Sequence, residues 1–126
     1  MMIYIAEDQP GLGSLMEQIF LRELACQTRS FTDGLSCYAE VCTAPPDVLV
    51  LDIILPYLSG LAVCRLLRFQ EEFRHLPMLI MSSVTESDIR QKALNVGADY
   101  FLPKPLDVPL VVQTLATMLS KGGEAV

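Results

Sequence analysis

Asp52 closes the run VLVLD, Glu7 and Asp8 follow MIYIA, Ser82 ends MLIMS, and Lys104 lies just past DYFL. Each of these polar side chains stands at the end of an apolar, strand-forming stretch, where burying a lone charge would be prohibitive. A carboxylate so placed must leave the sheet, carry a partner or do chemistry. Three carboxylates converging on one sheet edge repel one another, and a hard divalent cation between them removes the repulsion. Mg²⁺ suits such a set because it takes a few carboxylates, a backbone carbonyl and several waters, and Mn²⁺ can replace it. Lys104 brings a compact positive charge able to pair with Asp52 or with an incoming phosphoryl oxygen, and Ser82 adds a hydroxyl donor. An aspartate beside a cation, a lysine and a hydroxyl is equipped to attack phosphorus and become an acyl phosphate. Asp52 is the candidate nucleophile.

The elements that must position these groups are legible from periodicity. MIYIA reads as a buried strand, followed after QPG by a helix whose Leu12, Leu15, Met16, Ile19 and Phe20 share one face of a 3.6-residue period. CQTRSF is a weaker strand, and Asp33 caps a helix carried by Leu35, Tyr38, Ala39 and Cys42 that stops before Pro45 and Pro46. DVLVLD is apolar on both sides, as expected of a parallel strand with helices over both faces. A helix from Gly60 to about Glu72 turns Val63, Leu66 and Leu67 inward, and MLIMS is the next two-sided strand. Glu86 to Val96 reads as a helix closed by Gly97, DYFL as the fifth strand, and Leu110, Val111, Leu115, Met118 and Leu119 as the face of a last helix. Residues 1–120 form one domain and 121–126 a flexible tail or linker. Strands alternating with helices give a doubly wound α/β fold, in which ligands bind beyond the carboxyl ends of the strands. All the polar residues singled out above lie at those ends.

Bulk composition narrows the function. The 126 residues are 52% hydrophobic and 19% charged, enough for one full core. A net charge of −6 and the lack of any Lys/Arg cluster argue against a nucleic-acid surface. No apolar run approaches the length of a membrane span, and MMIYIAEDQP lacks the features of a signal peptide, so a cytosolic protein with no membrane contact is expected. Cys26, Cys37, Cys42 and Cys64 have no metal-binding spacing and read as small buried hydrophobes, while His75 reads as a loop residue.

EDQP, VLVLDIILPYLSG, LPMLIMSS and GADYFLPKP together resemble, in order and spacing, the receiver domain of two-component response regulators, of the chemotaxis-regulator type. The resemblance covers residues 2 to 120. It implies a flavodoxin-like (βα)5 fold with a parallel sheet of order 2-1-3-4-5. It also implies that Asp52 takes a phosphoryl group from a histidine kinase, a phosphotransfer protein or a small donor such as acetyl phosphate. Asp8, Asp52 and the Ile54 backbone carbonyl would bind Mg²⁺ directly, with Glu7 acting through water, and Ser82 and Lys104 would hold the phosphoryl oxygens. Lys104–Pro105 would be a cis peptide. Ser82 and Phe101 would form the switch to the face of the fourth helix, fifth strand and fifth helix, serving a downstream protein, a fused output domain or a homodimer. Such a domain is not a conventional enzyme, although it catalyses its own phosphorylation and dephosphorylation.

The chain departs from the family pattern in informative places. Glu7 stands where aspartate is commoner, Ser82 where threonine is, and Phe101 where tyrosine is frequent. Pro103 removes a backbone donor beside Lys104. Ile54 and Val84 occupy the positions that tune phosphoryl lifetime, and neither can orient a water or take its proton, which implies slow self-hydrolysis. A haloacid-dehalogenase-type phosphatase would want a second aspartate at position 54, and a flavin carrier would want a Ser/Thr/Gly-rich loop in place of EDQPG. The alternative that stays open is a degenerate receiver acting as a phosphorylation-independent binding module.

Overall fold

The computed structural model describes residues 1–124. Strands β1 (Met2–Ala6), β2 (Gln27–Phe31), β3 (Val48–Asp52), β4 (Met78–Ser82) and β5 (Tyr100–Pro103) alternate with helices α1 (Leu12–Leu24), α2 (Gly34–Thr43), α3 (Gly60–Phe69), α4 (Ile89–Asn95) and α5 (Val108–Glu124). A short 3₁₀ turn, Glu71–Phe73, follows α3. The strands form one parallel sheet in the order β2-β1-β3-β4-β5. The chain winds outward from β1 to β2 and then reverses through β3 to β5, so the crevice of this fold opens between the ends of β1 and β3.

Alternation along the central strands divides the core in two. Ile3, Ile5, Val48, Val50, Leu79 and Met81 pack against Met16, Ile19 and Phe20 of α1 and Val111, Leu115 and Met118 of α5. Their neighbours Tyr4, Leu49, Leu51, Met78 and Ile80 point to the other face, against α2, α3 and α4. This is the period-2 consequence of a strand buried on both sides. Truncating a side chain such as Leu51, which has no exposed surface, would cost about 2–5 kcal/mol.

The helix faces differ in detail from the sequence expectation. Leu15, Leu66 and Leu110 flank the buried stripes of α1, α3 and α5 and remain exposed. In α2 the buried residues are Gly34, Cys37 and Val41, and of the expected Leu35, Tyr38, Ala39 and Cys42 only Tyr38 packs, half-buried, against the core, because Gly34 lies hard against the Leu58 carbonyl and fixes the rotation of the helix. Cys42 is exposed, whereas Cys26, Cys37 and Cys64 are buried. Helix α4 starts at Ile89, later than expected. Helix α5 runs to Glu124, past residue 120, and residues 125 and 126 lie outside the described residues. Among the described residues, no helix is long and apolar enough to cross a membrane.

Candidate functional site

Strand register sets the site. Ala6 pairs with Leu51 and Asp52 with Met81, so Glu7 and Asp52 emerge side by side where β1 and β3 end. Both are nearly sealed from solvent, with Glu7 3% and Asp52 6% exposed, while the next residue, Asp8, is open. Two buried carboxylates require compensation. It comes from Lys104, which leaves the end of β5 and donates from Nζ to Asp52 Oδ2 at 2.6 Å and to Glu7 Oε1. The second carboxylate oxygens accept from backbone: Gln9 N–H donates to Glu7 Oε2 at 2.9 Å and Ile54 N–H to Asp52 Oδ1 at 3.4 Å.

Protonation follows from this wiring. Burial, opposed by the hydrogen bonds from Lys104 and Gln9, holds the Glu7 carboxyl above its ordinary value. Burial alone would lower the Lys104 ammonium, yet the bonds to Asp52 and Glu7 outweigh it and hold the group above its usual range. The ammonium is therefore the secure charge of the pair. Glu7, Asp8 and Asp52 each place a carboxylate oxygen within 4.8 Å of the other two. Three acids against one lysine leave two negative charges, which matches one divalent cation, and the donors are all hard oxygens.

Ser82 ends β4 and is buried, and its Oγ accepts from Val84 N–H at 2.9 Å. That bond uses a lone pair and leaves the O–H free to donate. Lys104 N–H donates to Ser82 O at 2.8 Å, continuing the ladder beyond Pro103, which pairs with Ser82 on the edge strand where a missing donor is tolerated. The Lys104–Pro105 peptide is cis. Gly60 closes the loop after Asp52, and a Cβ there would lie 2.0 Å from the Asp52 carbonyl oxygen. Only glycine lets α3 start so close to the strand end.

The sequence-selected Glu7, Asp8, Asp52 and Lys104 thus come together, with Ser82 at the end of the adjoining strand and its backbone bonded to Lys104. Ile54 is exposed and Val84 half-buried on the loops that follow Asp52 and Ser82. Phe101 is buried on the α4 side of the sheet, with Arg90 Cζ 5.2 Å from its ring centroid. Arg90 and the Gln9 backbone donor carried no sequence signal, since one is a surface-type residue on a helix and the other acts through its main chain. His75 is an exposed loop residue.

A parallel doubly wound sheet of order 2-1-3-4-5 with an acid–lysine cluster at its switch point places the chain among the flavodoxin-like α/β domains. The response regulator receiver domain family matches residues 3–116, and the chain belongs to it as a receiver domain of two-component signalling. The chain is 35% identical over 121 residues to the transcriptional regulatory protein QseB of Haemophilus influenzae, covering 96% of this chain and 53% of that one. It is 25% identical over 118 residues to the sensor histidine kinase TmoS of Ectopseudomonas mendocina, covering 94% of this chain and 12% of the kinase. Among solved structures, the receiver domain of a sensor histidine kinase from Pseudomonas aeruginosa, with a magnesium ion coordinated in its active-site cleft, superposes with a TM-score of 0.83 at 25% identity, covering 94% of this chain and 97% of that one. The chain spans about half the length of the transcriptional regulators it matches.

Proposed function

We propose that Asp52 is a phospho-acceptor, taking a phosphoryl group from a histidine kinase, a phosphotransfer protein or a small donor, in the cytoplasm. The observation that carries this reading is a nearly buried aspartate whose oxygen is held at 2.6 Å by a lysine inside a three-acid cluster. Asp8, Asp52 and the Ile54 carbonyl would hold Mg²⁺ or Mn²⁺, with Glu7 acting through water. When bound, the cation would neutralise charge on the transferring oxygens.

Asp52 supplies the attacking carboxylate oxygen. Lys104, already bonded to Asp52, can move its donors to a phosphoryl oxygen, and the free Ser82 hydroxyl proton can donate to another. Burial keeps competing water away, and neither Ile54 nor Val84 can activate one, so the acyl phosphate is long-lived. Ser82 and Phe101 then bias the face of α4, β5 and α5 toward one of two conformations, which a downstream protein, a fused output domain or a second copy reads.

The test is incorporation of radiolabelled phosphate from acetyl phosphate with Mg²⁺. Label is expected in the wild type, is lost on chelation, and is absent in Asp52→Asn. A wild type that takes up no label is a phosphorylation-independent binding module instead. The lifetime is read in a chase, where Ile54→Asn is expected to release phosphate about tenfold faster, and a wild type that loses its label within seconds contradicts the assignment of Ile54 and Val84.

A further inference from the structure

Helix α3 carries a stripe that the fold leaves outside its core. Ala62, Arg65, Leu66 and Phe69 recur at i, i+3, i+4 and i+7, opposite the buried Val63, Cys64 and Leu67. Leu66 is 43% exposed and Phe69 is 90% exposed. A lone exposed leucine needs no explanation, but an aromatic ring left almost wholly in water beside a second large apolar residue is the kind of patch that marks a contact surface. Among the described residues Phe69 makes no ring contact, and neither Arg65 nor Glu72 makes a hydrogen bond or ion pair.

Beside the stripe, a groove of about 430 Å³ separates α3 from α4, lined by Leu61, Ala62 and Arg65 on one side and Lys92, Asn95 and Val96 on the other. Leu61, Ala62 and Val96 are half-buried, so apolar surface in the groove stays open to solvent, and a side chain larger than that of Ala62 would fill it. Ala62 and Phe69 are seven residues apart, about 10 Å along the helix axis. Charge is divided along the same axis. Arg65 and Lys92 line the groove, whereas Glu71 and Glu72 follow Phe69 in the 3₁₀ turn and are exposed. Glu71 lies 3.6 Å from Arg74, and Lys92 is shared by Glu86 and Asp88. Arg65 and Glu72 are thus the charges left unpaired at the two ends of the stripe among the described residues.

We propose that the α3 face joins two copies of this chain as an antiparallel two-fold pair, with Phe69 of each copy entering the α3–α4 groove of the other. A two-fold interface needs a self-complementary patch, in which one residue meets a second and the second meets the first. Antiparallel packing sets the end of α3 that carries Phe69 and Glu72 against the end that carries the groove and Arg65, twice over. The large ring meets the space that Ala62 leaves, and the free carboxylate meets the free guanidinium. Parallel packing would set Phe69 against Phe69 and Arg65 against Arg65, with both grooves left empty. Aromatic and arginine side chains are the residue types that anchor such contacts. The patch is at the small end of specific interfaces, so the pair is weak, with a dissociation constant on the order of 100 µM. It requires no phosphoryl group on Asp52.

The experiment is sedimentation equilibrium of the full chain, without any phosphodonor, from about 10 µM to about 1 mM. The average mass is expected to rise toward twice that of one chain. Phe69→Ser changes a side chain that the core does not use and is expected to weaken the pair about tenfold or more. Arg65→Glu and Glu72→Arg are each expected to weaken it severalfold, and the two together to restore it, since the swap re-forms the charge pair in the opposite sense. Leu110→Ser, on the exposed side of α5, is expected to leave the association unchanged. A chain that stays monomeric across the range overturns the proposal, as does an association that survives Phe69→Ser or that Leu110→Ser removes. A double charge swap that pairs no better than either single variant overturns the antiparallel arrangement.

Discussion

The loops after β3 and β4 leave the same edge of the sheet, but the first is locked and the second is lightly held. In the β3–α3 loop, Gly34 N–H and Leu58 N–H both donate to the Pro56 carbonyl, at 3.2 and 2.7 Å, and Gly60 N–H returns to Ile53 O at 2.9 Å. Ser59 caps α3 through Ala62 N–H at 3.1 Å. After β4, residues 85–88 are exposed, α4 has seven residues, and its N-cap Asp88 makes no side-chain cap. That end is held by Ile89 N–H to Glu86 O at 3.1 Å, Lys92 N–H to Asp88 O at 2.9 Å and the buried Ile89, and its side-chain bonds are a pair of exposed ion pairs, Lys92 to Glu86 at 2.6 Å and to Asp88 at 3.8 Å, of a kind worth little in water. A fixed Asp52 beside a more loosely held helix start leaves the neighbouring face free to change at small free-energy cost.

The strongest way to break this contrast is to push on the locked side. A Cβ at Gly60 would lie 2.0 Å from the Asp52 carbonyl oxygen, and one at Gly34 would lie 1.8 Å from that of Leu58. Neither neighbour is a flexible side chain that can swing away. Gly60→Ala and Gly34→Ala are each expected to lose about 3 kcal/mol of stability, read as a lower urea midpoint. If Gly60→Ala unfolds at the wild-type midpoint, the loop is not locked.

A second, pH-driven effect probes the core beneath the locked loop. Burial pushes the Cys37 thiol up to about 12 and the Cys64 thiol up to about 11. In the unfolded chain both ionise near the ordinary thiol value, so between about pH 9 and 11–12 the native state holds protons that the unfolded state has released. Stability must therefore fall as pH rises through that window, by at most about 1.4 kcal/mol per pH unit for each thiol. Cys37→Ala should flatten the slope, and Cys64→Ala should flatten it as well. A wild-type stability flat from pH 9 to 11 would rule out the sealed thiols.

The same contrast explains what was legible in the sequence. Strands β1, β3 and β4 were readable because burial on both faces demands continuous apolar runs, whereas the largely exposed edge strand β2 gave only a weak pattern, and the polar residues that end the buried strands mark the sheet edge where the site forms. Helix existence was readable, but rotation was not. The broad leucine stripes of α1 and α3 exceed the width each helix buries, so Leu15 and Leu66 fall outside it, and in α2 the contact of Gly34 with Leu58 overrides the side-chain pattern. The start of α4 was placed at Glu86, three residues early, because residues 86–88 carry no proline or glycine to break the pattern, whereas the helix begins only after its N-cap residue Asp88. In the site, residue types revealed Asp52, Asp8 and Lys104. The bond from Lys104 to Glu7 joins residues far apart in the chain and depends on how β1 and β5 are brought together across the sheet.

The finest test compares the two helix starts directly. Ser59 and Asp88 stand at equivalent positions before α3 and α4, and both are good capping residues by type. Only Ser59 satisfies a helix N–H, so Ser59→Ala is expected to cost about 1 kcal/mol. Asp88→Ala removes a long, exposed ion pair and no cap, and its effect should stay within about 0.5 kcal/mol. Amide exchange should sharpen the difference, with α4 amides exchanging faster than those of α3 in the wild type and Ser59→Ala bringing the first turn of α3 toward the α4 rate. Equal costs for the two substitutions, with equal exchange, would mean that both loops are held alike. The α4 face could not then move independently of Asp52.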